Sequence, residues 1–260
     1  MLAINADRLA AITTLSVGKH KADSAKMCAM EAVAYIAGEP WSDAPACASP
    51  VIASFMRLWN DGLPDADRTR LLLPLVPEIV GTRTTDADDV TREWMASDWL
   101  VRTYAPAWLT FAGLSDHAVA LAGCDPVTSG EALRQAVPLC ESAESAAVSA
   151  AVSAVRSVAE SASWYAALSA VMSAAESAVR SAAGSAAWSA AGDAALSASA
   201  SSSGYAAWSA VRSAAWSAVR SAAAHGTDLA PTVAMLQASA QDLVRRMCAV
   251  GRSPEEASGG

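Results

Sequence analysis

"SAAWSAVRSAAA", residues 213–224, places Ser213, Ser217 and Ser221 every fourth residue and varies only the last position of each tetrad, here Trp216, Arg220 and Ala224. The phase extends far beyond this stretch. From 145 to 224 twenty tetrads run without a slip, and the first slot is Ser in seventeen of them, Tyr165, Asp193 and Tyr205 being the exceptions. The second slot is Ala except at Val158 and Ser202, and the third is Ala or Val except at Ser163, Ser199 and Ser203. The fourth slot takes Val, Arg, Glu, Trp, Leu, Met, Gly or Ala.

Alanine is the best helix former, and no proline lies between Cys140 and Ala230, so the array predicts helix. With about 3.6 residues per turn, a four-residue repeat drifts roughly 40° around the axis per tetrad. Rows of small residues four apart let two backbones approach closely, and a repeat longer than the helical turn favours right-handed crossings. A β-solenoid is the competing reading. Alanine is a poor strand former, and the tetrad has no corner turn residue, so the helical reading is preferred. Breaks are expected at Gly184-Ser185, at Gly192-Asp193 and most strongly over "SASASSSGY" (197–205), giving several antiparallel helices in a bundle or short α-solenoid.

Residues 1–140 have an ordinary globular grammar. The spacing predicts a helix over 24–37 ending at Gly38, a loop over "EPWSDAPACASP" (39–50), and a helix over 51–61. Another follows over 65–76 with Asp65 as cap, then one over 86–104 with Val90, Trp94, Trp99 and Leu100 along one side. Shorter helices are expected near 106–113, 115–122 and 128–139, and no period-two alternation marks a strand. The fold expected is all-α: a helical N-terminal domain (1–140), the tetrad helices (141–225), a closing amphipathic helix (226–250) and a frayed tail (251–260).

The chain of 260 residues carries a formal charge of −8, which argues against general affinity for nucleic acid or anionic membrane. No charge-free apolar run is long enough for a spanning helix. Five cysteines at unequal spacings and a start lacking a basic stretch before an apolar run point to reduced thiols in a cytoplasm.

Two groups of residues carry candidate chemistry. The variable slot holds Trp164, Trp188, Trp208 and Trp216 interleaved with Arg156, Arg180, Arg212 and Arg220. An Arg/Trp face can stack on bases, sugars or the aromatic groups of a protein partner or second copy, the charge balance weakening the nucleic-acid option, or tryptophan can fill gaps between alanine backbones while arginine reaches solvent. The contact set expected is Trp164, Arg180, Trp188, Trp208, Arg212, Trp216 and Arg220. The second group is His20, Cys28, Glu31 and Cys47, in which Cys28 and Glu31 share a helix face. These four could hold zinc, with Glu31 as fourth ligand or general base, or Cys28 could be a nucleophile with His20 as base. The bland alternative is buried structural thiols, since no CxxC or HExxH spacing is present. His117 and His225 read as capping or surface residues. No phosphate loop and no GxSxG exist, and no catalytic residue is assigned.

The segments "MCAMEAVAYIAGEPWSDAPACASPVIASFMRLWNDGLPD" (27–65), "LVPEIVGTR" (75–83) and "WLVRTYAPAWL" (99–109) resemble an uncharacterised group of bacterial and bacteriophage proteins. Its members combine such a segment with an alanine-rich tetrad array and a close like "APTVAMLQASAQDLVRRM". The group's loop reads Ser-Asp-His-Pro where this chain has Ser42-Asp43-Ala44-Pro45, which removes its most ligand-like residue. The resemblance implies no activity. The function expected is a non-enzymatic interaction or scaffold protein whose variable slot contacts a protein partner or itself. The alternatives are a metal- or thiol-dependent site at His20, Cys28, Glu31 and Cys47, and an immunity or inhibitor protein acting on a toxin or host factor.

Overall fold

The computed structural model describes residues 4–159, 164–198 and 202–252, with side chains described for all of these except 155–159, 164–168, 192–198 and 202–208. The protein is all-α, and no strand occurs among the described residues. In chain order the helices are α1 (Ala6–Ala11), α2 (Ala29–Ala37), α3 (Pro50–Gly62), α4 (Asp65–Leu72), α5 (Val76–Ile79), α6 (Asp86–Trp99), α7 (Ala105–Phe111), α8 (Ser115–Ala122), α9 (Gly130–Ala159), α10 (Trp164–Ser181), α11 (Gly184–Ala198), α12 (Ser202–Ala224) and α13 (Ala230–Ala249). No described helix is long and apolar enough to cross a membrane.

The tetrads form helices that bury their small residues. Along α9 the buried positions are Cys140, Ala143, Ala147, Ala151 and Ala154, so the seam passes from the third slot (Ala147, Ala151) to the second (Ala154). That slot change is the rotational drift of a four-residue repeat on a helix of about 3.6 residues per turn. The seam faces α12, which buries Ala210, Val211, Ala214, Ala215, Ala218 and Val219, and α9 with α12 is the most extensive helix pair. Ser217 and Ser221 are buried as well, so α12 is enclosed on more than one side.

Helix α11 packs between α3 and α6 and buries Ala186, Ala187, Ala190 and Ala191. One hydrophobic cluster therefore joins the tetrad helices to Ile52, Phe55, Met56 and Trp59 of α3 and to Trp99, Tyr104 and Trp108. The 140/141 boundary expected from composition falls inside α9.

Several boundaries differ from the sequence expectation. Helix α2 starts at Ala29 rather than near Ser24, because Cys28 and Glu31 form a capping box there. Asp65 does not cap α4; Pro64 occupies the N-cap and Asp65 instead pairs with Arg68. Val90 stands in solvent, 48% exposed, while Trp99 and Leu100 turn inward. Between α6 and α7 the chain does not stop but widens into a π turn over Leu100–Tyr104, where the Ala105 N–H reaches the Leu100 carbonyl. Pro106 has no N–H for the Arg102 carbonyl and its ring would crowd it, so a wider turn relieves a regular helix here.

Gly184 is not the left-handed terminator of α10. Ala183 takes that conformation, with φ +62°, and Gly184 is the first residue of α11. The expected break at Gly192-Asp193 does not occur, since α11 runs through both. The strongest expected break, over 197–205, centres on 199–201, which lie outside the described residues; α11 is described to Ala198 and α12 from Ser202.

The closing helix α13 is held by buried polar side chains. Arg92, with no exposed surface, donates from Nε to the Met247 carbonyl (3.0 Å) and from Nη2 to the Val250 carbonyl (2.8 Å) at the end of α13. Its Nη1 pairs with Asp89 (2.7 Å), which also accepts from the Ser49 hydroxyl (2.5 Å). Gln237 donates to Ser181 Oγ at the α10–α11 turn (2.9 Å), and Gln241 donates to the Leu71 carbonyl (2.7 Å).

Candidate functional site

The first candidate lies where the loop 16–27 folds onto the start of α2. The loop ends meet through the Ser16 N–H and the Met27 carbonyl (2.8 Å), which makes it a compact Ω-type loop. Gly18, at φ +81°, turns its N–H to Asp61 Oδ1 (2.8 Å). The turn sets His20 above Glu31. The Glu31 carboxylate accepts the His20 backbone N–H (2.6 Å), the Cys28 backbone N–H (2.8 Å) and the His20 ring through Nδ1 (2.9 Å). Glu31 is fully buried and the His20 side chain is 12% exposed. Trp41 Nε1 covers the His20 carbonyl (2.9 Å), and Lys19 pairs with Asp43 (2.9 Å).

Three of the four expected residues, His20, Cys28 and Glu31, therefore come together. Cys47 lies apart from their hydrogen bonds: its thiol neighbours Glu39 and the Gly81 backbone. His20 turns Nδ1 to Glu31 rather than to a thiol. Burial pushes the Cys28 thiol up to about 12, with the Glu31 charge adding to it, and pushes Cys47 up to about 11. At neutral pH both are thiols, and a thiol is a poor nucleophile. Among the described residues no group of His, Cys, Asp and Glu is placed to hold a metal ion. The role of this arrangement is mechanical: Glu31 ties the loop to the helix start, accepting one N–H from the cap residue Cys28 and one from His20 in the loop.

The thiol environments give a direct expectation. Cys140 and Cys248 are pushed up to about 12 by burial, whereas Cys124 is raised less and is partly exposed. A thiol at about 12 is ionised in roughly one molecule in ten thousand at pH 8. Iodoacetamide on the native protein should add one group, at Cys124, and five only after unfolding. Native alkylation of Cys28 at the rate of a free thiol would restore the nucleophile reading.

The second candidate is the variable slot. Arg180 and Arg212 extend into solvent, Arg180 lying 3.8 Å from Glu176. Trp188 and Trp216 are half-buried and pack against the hydrophobic core. Arg220 is also half-buried, with Nη2 on Ser217 Oγ (3.1 Å). The side chains of Trp164 and Trp208 lie outside the described residues. Of the five with described side chains, Trp188 and Trp216 lean inward, Arg220 is half-buried, and Arg180 and Arg212 reach solvent. The slot also exposes apolar side chains, Val148 at 39% and Val152 at 52% on α9 and Met172 at 41% on α10, the last alongside the charged Glu176 and Arg180.

A third feature escaped the sequence reading. A cavity of about 330 Å³ opens between the N-termini of α3 and α6 and the side of α11, lined by Pro50, Val51 and Ser54, by Arg83, Asp86, Asp89, Val90 and Glu93, and by Ser189 and Ala190. Its residues are scattered over 140 positions of sequence, and only the insertion of α11 between α3 and α6 brings them together.

The chain matches no protein-family description, no curated protein and no solved structure.

Proposed function

We propose that the protein is a non-enzymatic interaction scaffold working among reduced thiols in the cytoplasm, with the outward variable slots of α9 and α10 contacting a protein partner or a second copy. The observation that carries this reading is the division of labour within the tetrad. Along α9 the buried tetrad residues Ala147, Ala151 and Ala154 occupy second and third slots, while the fourth-slot Val148 and Val152 stand in solvent. Over the turns of α9 where the fourth slot faces outward, that slot can change its contacts without changing the packing. Five free cysteines and the absence of a disulfide among them fit a reducing compartment.

The test is the double variant Val148→Glu, Val152→Glu. Both side chains are exposed, so the thermal midpoint should stay within about 2 °C of wild type. The proteins retained by immobilised chain and its mass by light scattering should both change, through loss of a bound protein or of an oligomer. If variant and wild type retain the same proteins and have the same mass, the slot face is not the contact surface.

A further inference from the structure

Another cavity, of about 330 Å³, opens between the turn that ends α8 and the first turns of α9. Cys124 and Asp125 line it from the turn, and Gln135, Ala136 and Leu139 line it from the helix. Cys124 is the one partly exposed thiol of the five. A second thiol lies close by. Cys140, with no exposed surface, stands one helical turn beyond Ala136 and so shares its face of α9. The negative charge of an ionised Cys124 reaches the Cys140 sulfur and adds to the burial that pushes this thiol up to about 12.

The π turn between α6 and α7 supplies a cation next to Cys124. Burial raises the Cys124 thiol, and the guanidinium of Arg102 on the π turn opposes that rise. Arg102 pairs with Asp98 at 3.3 Å and keeps a buried Nε without a hydrogen-bond partner. Asp98 also accepts the Val127 N–H (2.9 Å), which fastens the α8–α9 connection to α6. Cys124 sits in that connection, while Cys140 sits on a helix. Pro138 lies inside α9 two residues before Cys140, and its ring nitrogen cannot donate to the Arg134 carbonyl. The helix therefore loses one rung of its own ladder beside the two thiols.

We infer that Cys124 and Cys140 form a dithiol pair that reduces a small, positively charged disulfide entering this cavity and closes into a disulfide of its own. Cys124 loses its proton to solvent and attacks one sulfur of the small disulfide, whose other sulfur leaves with the bonding electron pair and picks up a proton. Cys140 then gives up its proton and attacks the Cys124 sulfur, expelling the second small thiol, which takes up a proton in turn. Two protein thiols are oxidised to one disulfide, and the small disulfide is reduced to two thiols. The order follows access, since Cys124 is partly exposed and Cys140 is buried. A protein disulfide needs its Cα atoms within about 7 Å, and the connection carrying Cys124 supplies any travel. The charge preference follows from the neighbours. Arg102 is offset by Asp98, and Arg134 by Glu131, whereas Asp125 and Glu141 each put negative charge beside one of the sulfurs. Among reduced thiols such a pair rests as the dithiol and is oxidised only transiently. It uses none of the variable slots, so it and the scaffold reading stand or fall separately.

The test is exchange on the full-length native protein with cystamine, a disulfide carrying an ammonium group at each end. The reaction is run near pH 8, quenched with acid and read by intact mass and peptide mapping. Wild type should lose two hydrogens and yield one linked peptide pair, Cys124 to Cys140, leaving Cys28, Cys47 and Cys248 for iodoacetamide after unfolding. Cys140→Ala should stop at a lasting cysteamine adduct on Cys124, and Cys124→Ala should not react. Circular dichroism confirms that the variants fold, and the wild-type map decides alone if either does not. Oxidised glutathione, of net negative charge, should react several-fold more slowly than cystamine at about 50 mM salt, with the gap closing at about 500 mM. A wild type that does not react, or that halts at the mixed disulfide on Cys124, would overturn the inference. A link to Cys28, Cys47 or Cys248 overturns it too, as does a Cys124–Cys140 link that forms only as fast as those three thiols are modified. Faster reaction with oxidised glutathione has the same force, because the cavity then selects the opposite charge.

Discussion

Gly184→Ala is expected to destabilise the protein by about 3 kcal/mol or more, although it changes a glycine at a helix start to the best helix former. A Cβ on residue 184 would lie 2.3 Å from Oη, 2.5 Å from Cζ and 3.0 Å from Cε2 of Tyr104. Tyr104 has nowhere to go. It is 1% exposed and wedged between the Trp99 and Trp108 rings, with centroids 5.4 and 6.3 Å away. Relief would require moving the π turn that carries Tyr104 or lifting α11 off α6, and either breaks the alanine seam. Tyr104→Phe is a useful control. The Tyr104 hydroxyl is buried without a hydrogen-bond partner, so its removal should be neutral or slightly stabilising. It should not rescue Gly184→Ala, because the ring carbon remains in the way, whereas Tyr104→Leu should rescue it in part. Urea midpoints for wild type, the two single variants and the two double variants decide the matter. A Gly184→Ala variant within 1 kcal/mol of wild type would show that α11 is free to move away from Tyr104.

The second large effect is expected at Arg92. Replacing it by alanine removes the donors to the Met247 and Val250 carbonyls and leaves Asp89, 8% exposed, with Ser49 and a distant Arg83 at 3.7 Å. Breaking a buried pair in this way costs about 3–5 kcal/mol. The loss should be local first: α13 frays from its C-terminal end, and limited proteolysis cuts near Arg245 and Arg246 before the remainder unfolds. Arg92→Lys should recover little, since one ammonium cannot reach two carbonyls and a carboxylate in the planar fan that guanidinium provides. Wild-type protection of Arg245 and Arg246 in Arg92→Ala would show that the apolar contacts of Leu243, Val244 and Met247 hold α13 unaided.

The tetrad period was enough to read the helices and the buried alanine seams, because propensity and spacing there agree and no proline intervenes. For the variable slot the sequence left two readings open, a contact face or tryptophans filling gaps while arginines reach solvent. A drift of roughly 40° per tetrad carries one slot around the helix within a few turns, so no slot can stay on one face. Trp188 and Trp216 accordingly lean on the core while Val148 and Val152 stand outside. Gly184 looked like a terminator because its neighbour in sequence is a serine. Its actual constraint is Tyr104, eighty residues away, which no local pattern announces. The helix start at Ala29 was legible in principle. Cys28 with Glu31 has the spacing of a capping box, but cysteine at the cap disguised it as a metal pair. The same carboxylate that suggested a ligand proves to be the anchor of a loop.

The insertion of α11 between α3 and α6 also limits how the gene can change length. A coding unit of four residues invites replication slippage, and slipped copies would keep the reading frame. In α11 one added unit would advance everything beyond it by about 6 Å and rotate it by roughly 40°, pulling Ala190 and Ala191 away from their berth. The α9–α12 pair is more forgiving, because units on both partners are nearly alike and can slide by one register. Natural length variants should therefore be found in α9 and α12 and be purged from α11, so that a tract that looks uniform in sequence contains one segment of fixed length.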